Sequence, residues 1–116
     1  MLRRAMARLN LVWGTNTEHV IADVCITPIG TGVSVSKEII EVEKVLRSFP
    51  IKCSLHAYGT NLEGDWEDVM GAIKAAHQRL HELGVARVSS NMRFGTRIDK
   101  HQTMEDKVAV VENALT

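Results

Sequence analysis

The sequence predicts an α/β domain of the α+β kind, in which one antiparallel sheet is covered by helices on one face. Three observations carry that prediction. Strand-like and helix-like segments alternate from residue 19 to the end of the chain. The strand-like segments are short, β-branched and patterned with period two, whereas the helix-like ones carry apolar stripes near period 3.6. The 116 residues show no internal repeat, low-complexity tract or interdomain linker, so residues 19–116 read as one domain.

Residues 20–29 form the first strand, ended near Pro28 and Gly30. The loop Gly30-Thr31-Gly32-Val33-Ser34-Val35 follows, and Ser36 is in place to cap a helix. Ile39, Val42, Leu46 and Phe49 make the stripe of that helix, which Pro50 terminates. Residues 51–58 alternate apolar and polar as a half-buried strand. Gly59 turns the chain, and residues 60–64 return as a short second strand of a hairpin. Asp65 is placed to cap the next helix, with Glu67 and Asp68 favourably in its first turn. Its stripe is Trp66, Val69, Met70, Ile73, Ala76, Leu80 and Leu83, and Gly84 is a good residue just past its end. Residues 86–96 read as the fourth strand. Thr103 caps a last helix with stripe Met104, Val108, Val111 and Leu115. The order β-α-β-β-α-β-α, with crossovers of one hand, places both crossover helices on one face of one sheet. That is a ferredoxin-like βαββαβ sandwich with an added C-terminal helix.

Period two then sorts the strand residues between faces. Val20, Ala22, Val24 and Ile26, then Ile51, Cys53, Leu55 and Ala57, then Leu62, then Val88, Ser90, Met92 and Phe94 face the helices. Ile21, Asp23, Cys25 and Thr27, with Lys52, Ser54, His56 and Tyr58, Asn61 and Glu63, and Arg87, Ser89, Asn91 and Arg93, face away. This open face is polar and chemically mixed. A solvated antiparallel face, a ligand site and a subunit interface all fit it.

Composition narrows the function. Lys plus Arg equals Asp plus Glu at 14 each, so the chain lacks the basic excess of a nucleic-acid binder. Aromatic residues are 4% and the open face offers only Tyr58 for stacking, which argues against RNA recognition. Cys25 and Cys53 fall on opposite faces, so reduced thiols in a cytoplasmic setting are expected. No apolar run reaches membrane-spanning length. The first 18 residues hold Arg3, Arg4 and Arg8 and no acid before Glu18. They read as a flexible extension; organelle targeting is the other reading, weakened by their low serine content.

No catalytic constellation emerges. His77 and His81 stand four apart on a helix, a metal-ligand spacing, but Gln78 replaces the glutamate of HExxH and no third ligand is near. A surface pair is the simpler reading. The stretch GTGVSVSK lacks the Walker pattern and reads as a strand-to-helix turn, although glycines before a helix can hold an anion. Cys25 has no base fixed by sequence. A pairing of Cys25 with His56, on strands expected to be neighbours, is the enzymatic alternative. No metal or cofactor site is expected.

The segments CITPIGTGVSVSKEIIEVEKVL, LHAYGTNLEGDWEDVM, LHELGVARVSSNMRFGTRIDK and QTMEDKV resemble the thiamine-binding protein family of small ferredoxin-like domains, long of unknown function. The resemblance runs from about residue 20 to the end. It implies non-catalytic binding of thiamine or its hydroxymethylpyrimidine moiety, and assembly into homotetramers with sheets joined between subunits. Positions in the matching segments that reach a ligand are expected to be Thr27, Ser34, Thr60, Asn61, Glu63 and Asn91, with Glu63 as anchor. A carboxylate at the centre of a sheet needs a partner, and an aminopyrimidine supplies one. Two alternatives remain: Glu63 pairs with Arg93 at a subunit interface, or the whole protein is a structural or regulatory oligomer without ligand. Arg93, Arg97, Lys100 and His101 form a basic tail, either a solvated edge or the partner of a ligand phosphate.

Overall fold

The structure is a computed structural model and describes residues 19–116. The expectations for residues 1–18 fall outside the described residues. The elements are β1 (His19–Ile29), α1 (Ser36–Arg47), β2 (Lys52–His56), β3 (Gly59–Asp65), α2 (Trp66–Glu82), β4 (Arg87–Gly95) and α3 (Met104–Ala114). The four strands form one sheet in the order β2-β3-β1-β4, and every neighbouring pair is antiparallel. This is the ferredoxin-like α+β sandwich with its extra C-terminal helix.

Strand alternation sorts the core as the sequence predicts. Val20, Ala22, Val24 and Ile26 of β1 and Leu62 of β3 are buried against Val42 and Leu46 of α1 and Val69, Ala72, Ala76 and Leu80 of α2. Val88, Met92 and Cys53 pack on the same cluster. Phe94 also lies on the helix side, meeting Trp66 edge-on with ring centroids 5.3 Å apart. The helix ends differ in detail. The N-cap of α1 is Val35, so Ser36 sits inside the first turn, and neither Val35 nor Asp65 makes a side-chain cap bond. Thr103 and Asp106 form a complete capping box on α3. Gly84, at φ 93°, ends α2 with a bond from Gly84 N–H to His81 O.

Two features decide where a site forms. β3 pairs with β1 only as far as Val24↔Thr60, so one backbone edge of β1 beyond Val24 is left without a partner strand among the described residues. Gly59 permits this crossing, because a Cβ there would stand 2.4 Å from the carbonyl oxygen of Val24. The second feature is α3. It has no buried residue, and Val108, Val110, Val111 and Leu115 are all well exposed. Among the described residues its stripe has no cover.

Candidate functional site

A cleft of about 240 Å³ opens where α1 crosses the free edge of β1 and the β2–β3 turn. Val24, Ile26, Val35, Ile39, Leu55 and Tyr58 give it largely apolar walls. Leu55 is on the helix side of the sheet but 54% exposed, because it faces this space. Two polar side chains break the apolar lining from within. Thr60 is 3% exposed and Glu43 9%. The Thr60 hydroxyl donates to Glu43 Oε2 at 2.6 Å, while Arg47 reaches Oε1 only at 3.4 Å. A carboxylate has about four acceptor positions, so Glu43 retains capacity toward the cleft.

The sequence-predicted residues do not gather in one place. Thr27 and Thr60 line this cleft, Thr27 at its rim and Thr60 on the helix face of β3. Ser34 is exposed in the loop before α1, with its hydroxyl 3.4 Å from that of Ser36. Asn61 and Glu63 lie on the opposite, open face, and Asn91 is exposed on β4 opposite Cys25. Glu63, 3% exposed, is engaged from several sides. His19 Nε2 lies 2.7 Å from Oε2, Lys52 Nζ 3.7 Å from Oε1, and the Met104 N–H donates to Oε1 at 3.1 Å. The carboxylate thus ties the start of α3 to the sheet. Arg93 does not pair with Glu63 within the chain but with Asp23, at 2.9 Å.

Asp23 organises the rest of the open face. His56 Nδ1 accepts from the Tyr58 N–H at 3.2 Å, which fixes its proton on Nε2 for donation to Asp23 Oδ1 at 2.7 Å. The Arg93 guanidinium, and after it His56, hold the Asp23 carboxyl below the usual carboxylate range. β3 separates β2 from β1, so His56 and Cys25 are not on neighbouring strands; Cys25 Sγ instead lies 3.6 Å from the Thr27 hydroxyl. His77 and His81 are not a simple surface pair. His77 Nε2 meets the Ser90 hydroxyl at 2.5 Å, and His81 Nδ1 meets Val85 O at 2.8 Å. Burial, and the nearby His81, lower the pKa of His77. Among the described residues no group of three His, Cys, Asp or Glu converges as a metal cage, and no helix is long and apolar enough to cross a membrane.

Sequence reasoning passed over Glu43. The signal was present: Glu43 falls between Ile39 and Leu46 at i+4 and i−3, so it is a charge placed on the buried stripe of α1.

A family model described as "Thiamine-binding protein" matches residues 22–112. A UPF0045 protein of Synechocystis is 50% identical over 97 residues, which is 84% of this chain and 80% of that protein. A UPF0045 protein of Eremothecium gossypii is 44% identical over 84% of this chain and 94% of its own. The crystal structure of a hypothetical protein of Methanocaldococcus jannaschii superposes with TM-score 0.77 at 36% identity, covering 82% of this chain and 97% of that one. A Thermotoga maritima structure, called a putative thiamine biosynthesis/salvage protein, shares the fold with TM-score 0.69 at 18% identity, over 80% of this chain and 98% of its own. With nearly the whole folded domain matched, the chain belongs to the thiamine-binding protein family.

Proposed function

We propose that the cleft under α1 holds the pyrimidine ring of thiamine or of a related hydroxymethylpyrimidine, and that the protein binds this ligand without transforming it. The buried Glu43–Thr60 pair in an otherwise apolar cleft carries the reading. A 4-aminopyrimidine presents an amino donor beside a ring-nitrogen acceptor. The amino group donates to Glu43, and the Thr60 hydroxyl rotates to donate to the ring nitrogen. The apolar walls cover the ring faces, and the free β1 edge offers backbone groups to a substituent. A volume near 240 Å³ suits the ring more than a whole larger ligand. On the open face the His56 imidazole has both nitrogens engaged, by the Tyr58 N–H and by Asp23, which favours binding over acid–base chemistry.

Calorimetry with thiamine and hydroxymethylpyrimidine tests this. Saturable binding is expected, weakened in Glu43→Gln by about 1.5–3 kcal/mol, the range for a hydrogen bond to a charged group. No binding heat, or equal affinity in the variant, overturns it.

The same reading includes self-assembly, as a tetramer built through the open face and α3. The exposed Val108, Val111 and Leu115 support it, being a helix stripe without a cover among the described residues, as does a net charge of zero, which gives little repulsion. Light scattering is expected to find a closed oligomer at micromolar concentration, and Val108→Asp with Val111→Asp is expected to break it into smaller species. A monomeric parent protein overturns the assembly.

A further inference from the structure

At the opposite end of the sheet the chain between β4 and α3 folds back over the start of β1. It closes a second cleft of about 380 Å³, floored by Ile21 and Gly95. Its walls carry His19, Arg97, Lys100, His101 and Lys107, against one carboxylate, Asp99. Arg97 is committed. Its Nε donates to Asp99 Oδ1 at 2.6 Å and its Nη1 to Gln102 at 2.9 Å, and this pairing holds the Asp99 carboxyl down at about 2. That pair braces the loop. Lys100 and Lys107 have no ion-pair partner among the described residues. Glu63, the nearest buried carboxylate, is already shared by His19 and Lys52. The His19 and His101 rings stand 4.9 Å apart. Two uncompensated ammonium groups and two imidazoles therefore converge on one concavity, in a chain of zero net charge.

We propose that this cleft is a binding site for a phosphoryl anion, either a free phosphate or diphosphate or the phosphate ester of a larger molecule. Concave walls with an excess of positive charge, Asp99 being neutralised by Arg97, concentrate the field and attract an oxyanion. Two ammonium groups, the His101 imidazole and the Thr96 hydroxyl at its wall supply the charge-assisted and neutral donors that phosphoryl oxygens need. Arg93, the other cation of the basic tail, plays no part, because it is held by Asp23 on the open face. The cleft lies at the His19–Ile21 end of β1, and the pyrimidine cleft at Cys25–Pro28. At about 3.3 Å per residue they are roughly 20 Å apart along the strand, so the anion site stands independently of the pyrimidine reading.

The test titrates the whole protein with pyrophosphate at fixed ionic strength, followed by calorimetry and by amide shifts of Gly95, Lys100 and Lys107. Saturable binding is expected, with Lys100→Ala combined with Lys107→Ala weakening it by at least about tenfold, the loss of strong charge-assisted contacts. Lys37→Ala with Lys74→Ala, which removes the same charge elsewhere, is expected to leave it unchanged, as is Glu43→Gln. Thiamine diphosphate against pyrophosphate, compared in Glu43→Gln so that the pyrimidine cleft does not contribute and read at the Lys100 and Lys107 amides, separates the sources: equal affinity marks the free anion as the ligand, and tighter binding of the ester marks the ester. No saturation, amide shifts elsewhere, or equal weakening by the Lys37/Lys74 control overturns the site.

Discussion

Leu62→Ala is expected to cost about 2–5 kcal/mol, a large part of the roughly 5–15 kcal/mol that a domain of this kind has in total. Leu62 is fully buried on β3, an inner strand, opposite Ala22 of β1 and Cys53 of β2. It belongs to one buried cluster with Leu46 of α1 and Val69 and Ala72 of α2. Neither Ala22 nor Ala72 has side chain enough to move into the gap, so a cavity remains and its lining loses contacts. Leu55→Ala removes the same atoms on the neighbouring strand but from a position 54% exposed, and is expected to change stability by under about 1 kcal/mol. Urea melts at matched protein concentration check both, since assembly would add a concentration-dependent term. A Leu62→Ala loss below about 1 kcal/mol would place the core elsewhere.

The physics that makes Leu62 critical is also why the fold was legible. Burial on one sheet face imposes period two, and helices on that face impose a stripe at 3.6, so residues such as Val20, Ala22, Val24 and Ile26 declare their side. Capping was legible where the chemistry was complete, as at Thr103 with Asp106, and less so at Ser36, which lies inside the first turn with Val35 as the N-cap. The sites were less legible for three reasons. A period rule assigns a side chain to a face but not to a partner, so Glu63 was correctly placed on the open face while its ties to His19 and Met104 N–H crossed dozens of residues. The cleft under α1 exists because the pairing of β3 with β1 ends at Val24↔Thr60, beside Gly59, and the point where two strands stop pairing depends on the turn and the twist rather than on composition. Glu43 was hidden because a charge on a helix stripe reads as noise until its buried partner is known. The basic tail shows the converse: Arg93, Arg97, Lys100 and His101 are close in sequence, yet the structure sends Arg93 to one face and the others to a cleft.

The Glu43–Thr60 pair admits a sharper test than a single substitution, because its structural and binding roles have opposite consequences. Thr60→Val leaves the buried Glu43 carboxylate with only the long contact from Arg47, which is itself 57% exposed at its side chain. Glu43→Leu leaves the Thr60 hydroxyl without its acceptor. Each single change is expected to destabilise the protein by about 1–3 kcal/mol, the cost of an unsatisfied buried group. The double variant replaces both polar groups with apolar ones of similar shape, and should recover most of that loss. A coupling of about 1 kcal/mol or more in the cycle is therefore expected. Binding behaves in the reverse way. If Glu43 and Thr60 contact the pyrimidine, the double variant restores stability without restoring affinity, and calorimetry finds the ligand lost in all three variants. A pair kept only for packing would give a double variant that binds as the parent does, and strictly additive stabilities would mean that the 2.6 Å hydrogen bond contributes nothing. The expected result is a more apolar cleft that folds well and no longer recognises an aminopyrimidine, because specificity there rests on polar groups whose burial is a cost to folding.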